Sequence, residues 1–222
     1  MWHNRGRPTK EGRKPMCIIG RYLFAFVLLL AAAPAWAGGR IALSFDDGPN
    51  ARLTPQLLDI LQGAGITATF CLIGQHVVQM PAVVRRMHAA GHQLCNHSWS
   101  HSVLTSHNVG WQITKTDAAI RAATGITPRI LRAPYGETKF VGPCHQGRSF
   151  VGWDIDTLDW RYRSPLRIMR AAVGARVGGV VLMHDIHATT VAAVPGIIAG
   201  LKAHGTTFVH ASELWHKPCS GR

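Results

Sequence analysis

A chain of 222 residues with 47% hydrophobic and 16% charged residues is long enough to bury one substantial core and too apolar to be intrinsically disordered. Its formal charge of +13 is unevenly placed: six of the 24 Lys and Arg precede residue 22, and residues 38–222 keep 18 basic against 10 acidic residues, a net of +8. That remainder is spread along the chain without the interleaved basic and aromatic residues of an RNA-binding sheet, which excludes nucleic acid as a partner and leaves at most a weak attraction to anionic surfaces or polymers.

The first 37 residues are expected to be an export signal. A basic stretch precedes the apolar run Tyr22–Pro34, which is shorter than the roughly 20 residues a membrane span needs. Ala35-Trp36-Ala37 then gives the small-x-small pattern of a signal peptidase site. Met16 offers a tidier start, and an uncleaved anchor is the alternative. The expected product is one exported domain, 38–222, periplasmic or secreted and monomeric. In chain order its elements read as a strand at 41–45 and a helix at 54–65, with Thr54 as N-cap, Pro55 at the first helical position and glycine at the end. A strand at 66–74, a helix at 77–90 and a strand at 92–95 follow. Then come a helix at 108–124, strands near 129–132 and 149–155, a helix at 164–177 and a strand at 178–185. A helix at 189–204 and a closing strand in 206–214 complete the series. Alternating strands and helices predict an α/β fold with a parallel sheet and helices outside, and about seven strands favour a barrel over an open sheet.

Export bears on the cysteines. Cys17 leaves with the signal, and Cys71, Cys95, Cys144 and Cys219 permit two disulfides in an oxidising compartment. No C-x-x-C occurs, which argues against a cysteine zinc site. Cys71 and Cys95 sit in apolar runs and read as buried small hydrophobes. Cys144 and Cys219, in Gly- and Pro-flanked segments, are the pair expected to bond.

In parallel sheets functional groups gather at the C-terminal ends of strands. Here Asp46 and Asp47, His97 and His101, Arg132, Asp156 and Asp159, and His184 and Asp185 all fall at such ends. In LSFDDGPN (43–50) two adjacent carboxylates close an apolar run and repel each other. Either they form a solvated turn or a cation sits beside them. In NHSWSH (96–101) the histidines at i and i+4 can reach one metal, and an aspartate from another strand end completes an open His2Asp site of the catalytic zinc type. The second aspartate is then free to take a proton.

Five ordered segments, SFDDGP (44–49), HSWSH (97–101), RAPYG (132–136), DTLDW (156–160) and LMHD (182–185), resemble the polysaccharide deacetylase family with the NodB homology domain, carbohydrate esterase family four. The resemblance extends over about 40–216 and implies a distorted (β/α) barrel of about seven parallel strands. It implies a metal-dependent hydrolase acting on carbon–nitrogen bonds of linear amides, here the N-acetyl groups of sugars. Carried over, Asp47, His97 and His101 bind the metal, zinc first, with cobalt or another divalent ion as alternatives. Asp46 is the base that activates the metal-bound water, and Arg132 holds Asp46. The Tyr135 N–H stabilises the oxyanion. His184 protonates the leaving amine and Asp159 orients His184. Trp160 and Leu182 line the acetyl pocket. On residues alone, Arg132 could equally be a surface ion pair and Trp160 plain core. Asp154 and Asp156 take no role, and His76, His92 and His187 read as structural or exposed. Ser44, Ser98 and Cys95 are mild departures from the family pattern. The implied substrate is a glycan containing N-acetylglucosamine: peptidoglycan first, chitin oligosaccharide or exopolysaccharide next. An O-acetyl esterase on acetyl-xylan, or a carbohydrate-binding protein on the same barrel, are the competing readings.

Overall fold

The computed structural model describes residues 38–174 and 178–215. The expected signal, 1–37, and Cys219 lie outside these residues. Among the described residues no helix is long and apolar enough to cross a membrane.

The first strand, β1 (Arg40–Asp46), is buried from Ile41 onward. Its side chains divide by parity, as a period of two requires. Ile41, Leu43 and Phe45 join the large apolar core under the helices, whereas Ala42 joins a second core inside the curl of the sheet. On that inner side Ser44 donates to the Val181 carbonyl at 2.8 Å, and Asp46 meets Arg132. The same division runs through β2 (Thr69–Leu72), β3 (Gln93–Asn96) and β8 (Val180–His184). Phe70, Leu94, Val181 and Met183 face the helices, and Cys71, Cys95 and Val180 face inward. Burial on both faces is why these strands read as continuous apolar runs.

Five shorter strands complete the sheet: β4 (Ile130–Leu131), β5 (Cys144–His145), β6 (Arg148–Phe150), β7 (Ile155–Asp156) and β9 (Thr207–Phe208). The strand order is β5-β6-β4-β3-β2-β1-β8-β7, with β9 beside the start of β1. All pairings are parallel except β5 with β6. The barrel is thus a curled, half-closed sheet of nine short strands rather than about seven. The segment expected as one strand at 149–155 is split. Val151 N–H bonds the Leu131 carbonyl while Asp154 N–H bonds the Val180 carbonyl, so the chain itself crosses from one edge of the curl to the other.

Helices α1 (Leu53–Ala64), α2 (Gly74–Gln79), α3 (Pro81–Ala89), α4 (Val109–Thr124), α6 (Pro165–Val173) and α7 (Ala188–Ala203) cover the outside, with short α5 (Asp159–Tyr162) and α8 (Ala211–Leu214). The helix expected at 77–90 is two, broken where Pro81 has no N–H to continue α2. Thr54 is not the N-cap of α1. Asn50 Oδ1 accepts the Arg52 and Leu53 N–H groups, at 3.0 and 2.9 Å, and Thr54 lies inside the helix. The helix ends as expected, on Gly65 in the left-handed region.

The cysteine expectation needs one correction. Cys71 and Cys95 are not merely buried hydrophobes; they are bonded to each other. They are register partners on β2 and β3 with Cα atoms 4.2 Å apart, both inside the curl. Cys144 is also disulfide-bonded, as expected of it; its expected partner, Cys219, lies outside the described residues.

Candidate active site

The upper end of the curl is a cleft of about 410 Å³ lined by residues from five strand ends, among them Asp46, Asp47, His97, His101, Tyr135, Trp160, Leu182 and His184. Parallel β1 and β8 place Asp46 and His184 as register partners. The cleft therefore has an acidic wall and a basic wall one strand apart.

Asp46 is buried, and its Oδ1 accepts Arg132 Nη1–H at 2.7 Å. Arg132 is itself buried, and all three of its side-chain nitrogens are bonded. Nε–H bonds the Val151 carbonyl at 3.2 Å, Nη2–H the Gly152 carbonyl at 2.8 Å, and Nη1–H also the Ser44 hydroxyl at 2.9 Å. This is no surface ion pair. The guanidinium fixes the carboxylate by one oxygen and leaves Oδ2 facing His97 Nε2 at 3.6 Å.

Asp47 leaves the strand in the left-handed region, φ 72°, unusual for a residue with a Cβ. Three contacts hold the turn. His76 Nδ1–H donates to the Asp47 carbonyl at 2.8 Å, Ile73 N–H bonds the Gly48 carbonyl at 3.1 Å, and the Asp185 carboxyl packs against the Gly48 Cα so closely that a Cβ there would meet it at 2.5 Å. Asp185 is fully buried. Its Oδ2 accepts the Thr54 hydroxyl at 2.5 Å, and that hydroxyl in turn accepts Asn50 N–H at 2.7 Å. Burial first, then the charge of Asp47, pushes the Asp185 carboxyl up to about 7.

His97 and His101 reach the same point from a loop rather than a helix, with Ser98 and His101 at φ 65° and 55°. Buried polar groups hold this loop. Asn96 Oδ1 accepts Ser98 N–H, and Asn96 Nδ2 donates to Asp117 and the Ile113 carbonyl. Gln112 Oε1 accepts the Trp99 and Ser100 N–H groups at 2.8 and 3.0 Å. His97 Nδ1–H donates to the Arg132 carbonyl at 2.8 Å, which turns Nε2 into the cleft. There His97 Nε2 and His101 Nε2 each stand 3.4 Å from Asp47 Oδ1. All three donor atoms lie within 4.8 Å of one another, and buried Asp47 Oδ1 has no hydrogen-bond partner. Burial disfavours charge on both Asp47 and His97. The imidazoles, His97 first, nevertheless hold the Asp47 carboxyl well below the usual range, and the charge of Asp46, then Asp47, raises His97. Two imidazole nitrogens turned toward a carboxylate oxygen that has no hydrogen-bond partner, with one imidazole tautomer fixed from behind, form a donor set that fits a divalent cation.

On the opposite wall Asp159 is fully buried. It accepts His184 Nδ1–H and His184 N–H, both at 2.7 Å, and the Thr190 hydroxyl at 2.6 Å. Burial alone would lower His184; the hydrogen bond and charge of Asp159, then the charges of Asp46 and Asp47, raise it to about 9. His184 is therefore protonated at neutral pH.

The profile described as "Polysaccharide deacetylase" matches residues 36–140. The chain is 39% identical over 199 residues to the peptidoglycan-N-acetylglucosamine deacetylase PgdA of Listeria monocytogenes, covering 88% of this chain and 43% of that protein. It is 32% identical over 212 residues to a peptidoglycan-N-acetylglucosamine deacetylase of Bacillus cereus, covering 90% of this chain and 75% of that one. The chain belongs to the polysaccharide deacetylase family. A family 4 acetyl xylan esterase from Clostridium thermocellum, solved in complex with a cobalt ion, shares the fold with TM-score 0.70 and 32% identity, over 79% of this chain and 89% of that one. The chain thus spans less than half the length of the Listeria relative.

The structure brings every site residue named from the deacetylase motifs to the cleft or directly behind it. Trp160 is 47% exposed at the cleft rim, so it is not core, and Leu182 is buried in its wall. Tyr135 stands at φ 60° with its ring 4.6 Å from that of His101. Asp156, left without a role above, lines the cleft. It accepts the Leu158 N–H at 2.8 Å and the Trp160 indole N–H at 3.4 Å, and so sets the Trp160 ring. Trp153 was missed; it lines the cleft with its ring packed so close to Gly136 that any side chain there would collide. His76 is structural as expected, and it supports Asp47. Asn96, Gln112 and Thr190 were also missed, and Asp185 and Thr54 were named without the contact that joins them. Gln112, Thr190 and the Thr54–Asp185 pair act on partners distant in sequence, and only the polar Asn96 beside the HSWSH segment carried a local signal.

Proposed function

We propose that the chain is an exported, metal-dependent N-deacetylase of glycans containing N-acetylglucosamine, with peptidoglycan as the first candidate and chitin oligosaccharide as the second. The observation that carries this reading is the pair of oppositely prepared groups across one cleft: Asp46, locked by Arg132 with one oxygen free, and His184, kept protonated by Asp159. The names of the Listeria and Bacillus relatives support peptidoglycan.

Asp47, His97 and His101 would hold the metal, zinc or cobalt. When bound, it lowers the pKa of water toward about 7 and polarises the acetyl carbonyl. The chain's own residues do the rest. Asp46 Oδ2 takes a proton from the attacking water as oxygen bonds to the acetyl carbon. The Tyr135 N–H donates to the oxygen that gains charge. His184 gives its proton to nitrogen as the C–N bond breaks, leaving acetate and a free amine. Leu182 and Trp160 bound the space for the methyl group.

The fold shared with an acetyl xylan esterase keeps O-acetyl hydrolysis as a second reading. His184 separates the two. An amine needs a proton to leave and an alcohol needs it far less, so an acid raised to about 9 suits the amide. The test is acetate release by the chelator-stripped, zinc-reloaded chain from N-acetylglucosamine oligomers, peptidoglycan and acetyl-xylan, with Asp46→Asn alongside. Release from the amides, lost in the variant, is expected; preference for acetyl-xylan would transfer the reading to an esterase.

A further inference from the structure

The cleft of about 410 Å³ has room for little more than the acetylated sugar and its neighbour, so a longer glycan must cross the rim. Outside the cleft lining, where the loop after β3 meets α4, stands a group the proposed reaction does not use. Trp99 lies between His97 and His101 on the loop proposed to hold the metal. Its N–H is held by Gln112, which follows Trp111 in the first turn of α4. Trp111 is 53% exposed, and its ring stands edge-on to Trp99 with centroids 6.4 Å apart. The Lys115 ammonium sits 4.0 Å from the Trp99 ring centroid and 4.9 Å from that of Trp111. It makes no ion pair among the described residues. α4 starts from the loop that leaves the top of β3, so this framed cation is at the same end of the sheet as the cleft.

A large aromatic face left half in water on the surface costs solubility and offers a flat apolar plate. Pyranose rings present a face of C–H groups of matching size, and an ammonium beside it suits a carboxylate or hydroxyl on the next sugar. From this we infer that Trp111, with Trp99 and Lys115, is a binding surface for the sugars that follow the acetylated one. It favours a glycan with carboxylates along its length, such as peptidoglycan strands bearing lactyl or peptide carboxylates. The inference rests on the glycan deacetylase reading of the cleft. It adds that this chain selects its substrate by length and by charge at a distance from the reacting bond.

The experiment is initial-rate deacetylation of N-acetylglucosamine dimers to hexamers, and of solubilised peptidoglycan strands, by the zinc-loaded wild-type chain and its Trp111→Ala, Trp111→Phe and Lys115→Met variants. Trp111→Ala should raise KM for hexamer and for peptidoglycan strands roughly three- to tenfold, leave kcat unchanged, and leave the dimer unchanged. Trp111→Phe should recover most of that loss. Lys115→Met should raise KM for peptidoglycan strands while sparing the neutral hexamer, and the wild-type preference for strands should shrink as salt rises. Equal length dependence in wild type and Trp111→Ala overturns the inference alone. No acetate release by the wild type from any of these glycans overturns the reading of the cleft, and this inference with it.

Discussion

Replacing Asp159 by Asn tests the division of labour in the cleft with a change of one charge. The amide keeps the size of the carboxyl and can still accept the His184 N–H and the Thr190 hydroxyl. What is lost is the acceptor charge 2.7 Å from His184 Nδ1; the hydrogen bond to it, and then the charge itself, are the leading influences raising His184 to about 9. Returned to the ordinary value near 6.5, the imidazole moves by about 2.5 pH units, equivalent to about 3 kcal/mol. The sign follows from linkage. A histidine raised by folding adds stability that is complete below about 6.5 and is lost as pH rises through about 9. For catalysis, the protonated share at pH 8 falls from about nine-tenths to roughly 3%, so kcat should drop about 30-fold there. Near pH 6 both chains keep most of the proton, about three-quarters in the variant, and the gap should narrow to less than about twofold. A divalent ion in the cleft lowers His184 in both chains alike, so the difference survives. The assay is kcat for acetate release from pH 5.5 to 9.5. An alkaline limb that stays in place, with the same loss at every pH, would refute the claim that Asp159 acts by keeping His184 charged.

Arg132→Met should destabilise the chain by about 3–5 kcal/mol, because it leaves the Asp46 charge buried without its partner, and thermal unfolding should shift by roughly 10 °C. Thr54→Val should cost about 1–3 kcal/mol, since it strips Asn50 N–H of an acceptor and Asp185 of a donor; Thr54→Ser, measured beside it in urea, should restore most of the loss. Removing both Cys71 and Cys95 opens a loop closed over 24 residues, so the double alanine variant should lose about 3 kcal/mol in urea unfolding, and dithiothreitol should then shift its midpoint less than it shifts the wild type, through the Cys144 bond alone.

Much of the site was legible because its residues follow strands in a fixed order, and a parallel sheet brings every strand end to one rim. Arg132 and Asp159 were named from the motifs, yet their burial was not visible: both charges sit where the sequence shows only ordinary strand neighbours. Register was the hidden quantity. With both faces of β1, β2 and β3 buried, apolar runs conceal which side chains face inward, and so the Cys71–Cys95 bond stayed hidden. The Thr54–Asp185 contact spans 131 residues and needs the β1–β8 pairing before it can be anticipated. Strand number was underestimated because two-residue β5 is too short for any periodicity and the apolar run at 149–155 hides the break between β6 and β7. The broken helix at Met80–Pro81 was foretold by proline itself and overlooked in favour of the apolar pattern around it.

The central claim is that Asp47, His97 and His101 hold one divalent ion while Asp46 does chemistry rather than binding. Its most direct test is cobalt titration of the chelator-stripped chain, followed by visible absorption, with acetate release from N-acetylglucosamine oligomers measured at each addition. Activity should rise in step with one equivalent of bound cobalt. Asp46→Asn should bind its equivalent and release no acetate, and His97→Ala should do neither. Full activity without metal, or an Asp46→Asn variant that fails to bind the ion, would contradict the account.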